Sequence, residues 1–466
     1  MSFVDGSFPL FLAVVLAVYW LLPSRRTQNV LLVVASAVFY GWIHPWFLFL
    51  LYGSTLLDFF CAQGMERQPE HRRKLLLCSL AGNLGLLGIF KYLDFFLENV
   101  GAVLESLGLG ASPATLGLFL PVGISFYTFQ TMGYTIDVYR GKVQARRNLL
   151  DYAVYVSFFP QLVAGPVERA GNLLPQVEAP RHFDGEGFRS GLTLALWGAF
   201  KKIAIADVLA PYVDSVFVLA EPSWPLLAAA TVGFSLQILA DFSGYTDMAR
   251  GVARMLGFEL MVNFRHPYLA KNPSDFWRRW HISFSTWIRD YLYIPLGGSH
   301  GGAWKTLQAT AIALLLSGLW HGAAWNFVLW GAYHTLLIAA YRLATPRIPA
   351  AIKSAPGAGW AAVGLMYAFT CLGWLIFREV HADRLVGYLS APGATADQWV
   401  ATVVLSGVCV AAALPLWVGM WVERQLPGWR EKSWSLPLQT TAWSALVVAI
   451  FLMVRVEARD FIYFRF

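Results

Sequence analysis

Apolar residues in this chain run on in long blocks, broken only by short polar or Pro/Gly-containing stretches. Such blocks read at 8–22, 30–43, 46–62, 75–92, 113–135, 189–209, 224–240, 306–320, 321–343, 360–377, 399–422 and 438–454. The shorter ones cross a bilayer as helices only when tilted or supported by neighbours. The pattern predicts an all-α polytopic membrane protein with one membrane domain over residues 1–466. The opening MSFVDGSF is acidic, and the first apolar run ends in Pro23-Ser24-Arg25-Arg26 without a small-x-small cleavage site, so it reads as a retained span rather than a signal peptide. One stretch departs from the pattern: FFPQLVAGPVERAG at 158–171 is apolar yet interrupted by two prolines and two glycines. Backbone broken in this way survives at membrane depth only where protein or a water-filled cavity satisfies it.

Composition sharpens this reading. Hydrophobic residues make up 57% and charged residues 14% of the 466 positions, against about a quarter charged in soluble proteins. A soluble enzyme, a nucleic-acid-binding domain and a disordered chain are thereby excluded. The net charge of +7 sits in short loops rather than on a basic stripe, which speaks for membrane orientation and against a nucleic-acid partner. Arg25-Arg26, the HRRK run at 71–74 and the basic stretch 140–147 fall on one side if the N-terminus is outside. The outer loop then contains Glu98, Glu105 and residues 108–111. Cys61, Cys78, Cys371 and Cys409 lie in apolar segments without Cys-x-x-Cys spacing and read as core packing, with neither a disulfide framework nor a metal site.

Ionisable groups inside apolar segments are expensive and therefore candidates for function. In DFSGYTDMARG (241–251), Asp241 and Tyr245 are one helical turn apart and Asp247 precedes Arg250 by three; a structural network between packed helices is the plainer reading. In the Asp275–Gly298 segment, a continuous helix would put Trp277, His281, Phe284, Ser285 and Ile288 on one face, with Arg278, Arg279, Arg289 and Asp290 on its flanks. That segment could equally lie along the membrane surface as an amphipathic anchor, although an anchor needs no histidine on its apolar face. The third cluster, Leu316 to His334, sets His321 among Ser317, Gly318 and Gly322, small residues that admit another backbone or a ligand. On a continuous helix His334, thirteen residues on, points roughly 140° away from His321. His281 is then the partner expected for His321.

A histidine in apolar surroundings stays neutral at physiological pH and can accept a proton from a hydroxyl. No Gly-x-Ser-x-Gly elbow, His-Glu-x-x-His pair or Walker loop accompanies these histidines, so serine hydrolysis, zinc catalysis and nucleotide hydrolysis lack their parts.

With these clusters in view, the chain resembles the membrane-bound O-acyltransferase (MBOAT) family, in its alginate O-acetyltransferase-like branch. The resemblance rests on six ordered segments: 120–141, 158–171, 241–251, the FWRRWHIS to YIPLGG segment, 317–334 and the terminal FIYFRF at 461–466. It implies a helical bundle with short tilted and re-entrant helices around a central tunnel. It implies further that acyl-CoA, with acetyl-CoA the first expectation, is a substrate entering from the cytoplasm, with no permanently bound cofactor. His321 matches the family's invariant histidine, the catalytic base, and His281 its second, more variable position. Tyr463 matches the tyrosine of an aromatic motif that carries the acyl group, although Arg465 stands where the family tends to have a neutral amide. A phenol is easier to deprotonate than a sugar alcohol and leaves more readily afterwards, which suits a carrier.

Trp277, Ser285, Ser317, Asp241 and Asp247 are expected to line or support the tunnel. The implied setting is the bacterial cytoplasmic (inner) membrane, with a separate extracytoplasmic SGNH-type or related acyltransferase partner passing the group to a polysaccharide. A structural membrane scaffold for a polysaccharide synthase would explain the spans but not the three polar clusters, and two other readings stay open on the residues alone. The chain could be a transporter or flippase of an acyl or lipid-linked substrate, which would need neither a base at His321 nor acetyl-CoA turnover. FIYFRF could be an aromatic interfacial belt and nothing more.

Overall fold

A computed structural model describes residues 1–42, 44–110, 115–163, 165–425, 436–453 and 461–462. Among them there is no strand, and helices follow one another from Phe8–Leu21 to Leu436–Met453. Six described helices are long and apolar enough to cross a membrane: Phe47–Arg67, Pro69–Ser106, Trp224–Met255, Trp325–Arg347, Ala358–Arg378 and Ala396–Val422. Phe8–Leu21 and Thr440–Met453 are apolar but shorter. The protein is all-α and polytopic, as its hydropathy predicts.

The chain forms two compact units, one of residues 1–195 with 248–261, the other of 196–247 with 262–466. In the first, polar side chains inside the bundle satisfy one another. Asp58 accepts from Ser79 Oγ at 2.6 Å and from Asn83 Nδ2 at 2.8 Å, and Asn29 Nδ2 donates to Asp151 Oδ1 at 2.8 Å. The segment 158–171 is broken, as its prolines and glycines predict: the single helical turn Phe159–Leu162 precedes non-helical chain at 165–169 and the helix Ala170–Glu178. Glu168 holds this irregular stretch in place, one carboxylate oxygen accepting from Asn172 Nδ2 at 2.7 Å and the other from the Met261 N–H at 2.5 Å.

Several boundaries differ from the sequence reading. The block 113–135 is not one helix: Pro121 and Gly123, the latter at φ 78°, delay the start to Ile124, and the helix Ile124–Tyr139 is almost wholly buried. The block 75–92 extends over Pro69–Ser106 because no proline interrupts it after its first residue, so Glu98 and Glu105 lie in the helix and not in a loop. Cys78 is exposed rather than core, while Cys61 and Cys409 are buried and Cys371 half-buried. The 189–209 block bends through a π-helical turn at Lys201–Ala206 between the α-helices Gly185–Phe200 and Asp207–Phe217.

In the second unit the helices Gly302–His321 and Trp325–Ala344 form a tight hairpin. Its closeness depends on two glycines. A Cβ on Gly318 would overlap the carbonyl oxygen of Phe327, and one on Gly331 the carbonyl oxygen of Leu314. Small residues at such a crossing let two backbones approach, and backbone atoms cannot rotate aside as side chains do. Gly331→Ala should therefore destabilise the protein by about 1–3 kcal/mol, the usual cost of overpacking. Thermal unfolding of the detergent-solubilised variant measures this, and an unchanged midpoint would contradict the close-packing account.

Candidate active site

The Asp275–Gly298 segment is not the continuous helix that its pattern suggests. It breaks after Pro273–Trp277 and resumes as Ile282–Ile288, with His281 at the junction in the left-handed region, φ 44° and ψ 53°. The cause is a competing set of backbone hydrogen bonds. The Ile282 N–H donates to the Asn263 carbonyl at 2.9 Å, and the Arg279 carbonyl accepts from the Arg265 N–H at 3.0 Å. These groups would otherwise belong to the helical ladder. A left-handed backbone at a residue other than glycine costs on the order of 1–3 kcal/mol and marks a place where the surrounding structure dictates the conformation.

Asn263, fully buried, also fixes the imidazole. Its Oδ1 accepts from the Ser283 N–H at 3.2 Å and from Ser283 Oγ at 2.8 Å, and lies 3.2 Å from His281 Nδ1. A backbone N–H can only donate, so the amide atom facing it is oxygen, and the His281 Nδ1 facing the same oxygen must carry the proton. Nε2 is then the basic nitrogen. His281 lies outside the helices that can span a membrane, and burial pushes its imidazole down to about 3. It is neutral at any physiological pH.

His321 closes the helix Gly302–His321, and Gly322 continues in extended conformation, φ −163° and ψ 154°. The imidazole is 3% exposed. Aromatic rings surround it, with centroids at 4.9 Å for Trp320, 5.1 Å for Trp330, 5.3 Å for Phe377 and 5.8 Å for Phe284. The two histidines meet on one stacked pair: Phe284 lies on Trp320 at 4.2 Å, and His281 is 5.0 Å from the first and 6.0 Å from the second. Such surroundings orient both imidazoles by ring packing.

The other candidate residues fall differently. The helix break at 322–324 places His334 on a separate helix from His321, so the phase angle of a continuous helix does not apply; Trp330 packs against both, at 5.1 and 4.7 Å. Trp277 sits beside His334 and Trp330, at 5.1 and 5.6 Å, because the chain turns between it and His281. The Ser285 hydroxyl donates to the Trp280 carbonyl at 3.0 Å, a local backbone bond, and Ser317 is buried within helix Gly302–His321. Asp241 and Asp247 take part in the buried network that is the plainer reading of that motif: Lys202 Nζ is 2.7 Å from Asp241 Oδ1, and Lys201 Nζ 2.6 Å from Asp247 Oδ2. Tyr463 and Arg465 lie outside the described residues. Three residues of this region, Lys201, Lys202 and Asn263, escaped the sequence reading. The adjacent lysines within the apolar run at 189–209 were the signal for the first two, whereas nothing local marks Asn263.

Comparison with known proteins is consistent with this chemistry. The family profile described as MBOAT, membrane-bound O-acyltransferase family, matches residues 143–378. The chain is 41% identical to a probable alginate O-acetylase AlgI of Azotobacter vinelandii over 379 residues, covering 80% of this chain and 74% of that one. It is 34% identical to a peptidoglycan O-acetyltransferase of Helicobacter pylori over 390 residues, 77% and 72% of the two chains. A teichoic acid D-alanyltransferase of Bacillus subtilis is 26% identical over 304 residues, 62% and 76% of the two. The matched profile contains both histidines and the aromatic residues between them, and this chain belongs to the membrane-bound O-acyltransferase family.

Proposed function

We propose that the protein takes an acyl group, acetyl in the first instance, from acyl-CoA on the cytoplasmic side of a bacterial inner membrane and delivers it for O-acylation of an extracytoplasmic polysaccharide. One observation carries this reading: two buried histidines, one with its Nδ1 fixed by Asn263 so that Nε2 is the basic nitrogen, share the Phe284–Trp320 pair. The relatives whose names specify O-acetylation are more similar, over more of the chain, than the one that specifies D-alanylation, which favours acetate. Alginate, peptidoglycan and teichoic acid all appear in those names, and the acceptor is accordingly assigned as a cell-envelope or exported polymer.

In this mechanism His321 is the general base. It takes the phenolic proton of Tyr463 as the oxygen attacks the thioester carbonyl, and returns that proton to the CoA sulfur as the C–S bond breaks. The products are CoA thiol and a tyrosyl ester. In the second half, a hydroxyl of the acceptor or of a separate extracytoplasmic SGNH-type acyltransferase attacks the ester, its proton passing through the same imidazole to the departing phenolate. His281, neutral and with its proton on Nδ1, offers Nε2 as an acceptor to the same reaction space. The basic runs at 25–26, 71–74 and 140–147 favour the cytoplasmic side for those loops and an outside N-terminus.

His321→Ala should lower acetyl transfer from labelled acetyl-CoA by about 10²–10⁴-fold, the contribution of a general base, in protein that is still folded in detergent at the assay temperature. Wild-type turnover in that variant would remove the role. For Tyr463→Phe the expected result is loss of transfer, together with disappearance of label from the peptide containing residue 463 when wild type and variant are incubated without acceptor. Full activity in this variant would leave direct transfer from CoA to the acceptor.

A further inference from the structure

Within the second unit a buried charge network also engages a backbone amide. Lys201 Nζ pairs with Asp247 Oδ2 at 2.6 Å and with Ser243 Oγ at 2.9 Å. Lys202 Nζ lies between Asp207 Oδ1, at 2.8 Å, and Asp241 Oδ1, at 2.7 Å. Two lysines thus serve three carboxylates, and Lys202 is shared between two of them. The second oxygen of Asp241 accepts the Ile462 N–H at 2.8 Å. Phe461, wholly buried, lies 4.7 Å from the Tyr245 ring and 5.4 Å from Phe242, and Phe242 meets the His281 imidazole edge-on at 4.7 Å. One aromatic residue therefore touches both the 461–462 segment and a candidate catalytic histidine.

We propose that Asp241 is a positioning residue: ionised through its pair with Lys202, it seats the 461–462 segment by accepting the Ile462 N–H, and so holds that segment against Phe242, the ring it shares with His281. A carboxylate is suited to this task because its hydrogen bond to an N–H is charge-assisted, and an acceptor of full negative charge that shares its lysine has bonding capacity left for a second donor. The side chains of Phe242 and Tyr245 then supply the slot that fixes which way the segment enters. Sequence alone places Tyr463 next to Ile462, so the use of the seat in acyl transfer rests on the reading given under Proposed function; the seat itself does not.

The test uses the full chain in detergent or nanodiscs. Amide hydrogen exchange followed on the peptide spanning 461–466 should show a strongly retarded amide at Ile462 in the wild type, and Asp241→Leu should accelerate that amide at least about tenfold, the weight of one charge-assisted hydrogen bond. Ile462→Pro removes the donor without touching the buried ion pairs, whereas Ile462→Ala keeps it. Proline should lower kcat for acetyl transfer at least about tenfold with KM for acetyl-CoA within about twofold, and alanine should keep kcat within about threefold. If Asp241→Leu does not fold, the proline and alanine pair decides alone. An Ile462 amide exchanging at the free-peptide rate in wild type, retardation that survives in a folded Asp241→Leu, or equal loss in the proline and alanine variants overturns the seat. Retardation that depends on Asp241, combined with wild-type transfer in Ile462→Pro, establishes the seat and overturns the carrier reading instead.

Discussion

An ammonium group in an apolar interior cannot remain unpaired, and in the second unit this constraint organises the surroundings of Lys201 and Lys202. Both lysines are at most 5% exposed, and each reaches the Trp224–Met255 helix. Removing one partner of such a pair costs about 3–5 kcal/mol, because the remaining charge stays buried. The π-helical turn at Lys201–Ala206 fits this arrangement. An extra residue in the turn changes the direction of the side chains that follow, and π-turns of this kind are frequent at functional positions. The charge pairs thereby tie the π-turn to the long helix Trp224–Met255, and the aromatic residues Phe242 and Tyr245 on that helix are held in register with them.

The class of the protein was legible because membrane helices write themselves in composition: every backbone polar group must be satisfied internally, so long apolar blocks have few alternatives to helix. The three polar clusters were legible for a related reason, since histidine and aspartate are rare at such depth. Local pattern failed where tertiary hydrogen bonds override it. Trp277, His281, Phe284 and Ser285 have the spacing of one helical face, yet Asn263 and Arg265 claim the backbone groups of Ile282 and Arg279 and the helix breaks. No short window around residue 281 contains that information, because the competing groups of Arg265 and Asn263 lie 14 and 19 residues before the ones they bind. Likewise the angle between His321 and His334 follows from helix geometry only if the helix is unbroken, and Gly322 ends it.

The two histidines illustrate how an apolar environment can be used chemically. Aromatic rings exclude water from both, burial suppresses the cationic form of His281, and a single amide oxygen is enough to select which of its nitrogens is basic. Neither device requires a neighbouring carboxylate to orient the imidazole, as a soluble hydrolase triad does.

The left-handed backbone at His281 has a consequence for how this position can drift in sequence. Outside glycine, that conformation is entered with some ease only by asparagine, aspartate and histidine, and β-branched residues are strongly disfavoured there. The set of side chains compatible with the backbone at 281 is therefore small and polar before any chemistry is considered. A lineage that gave up the imidazole would be steered by conformation toward an amide or a carboxylate, so that whatever replaced the histidine would still present a hydrogen-bonding group to the same aromatic wall.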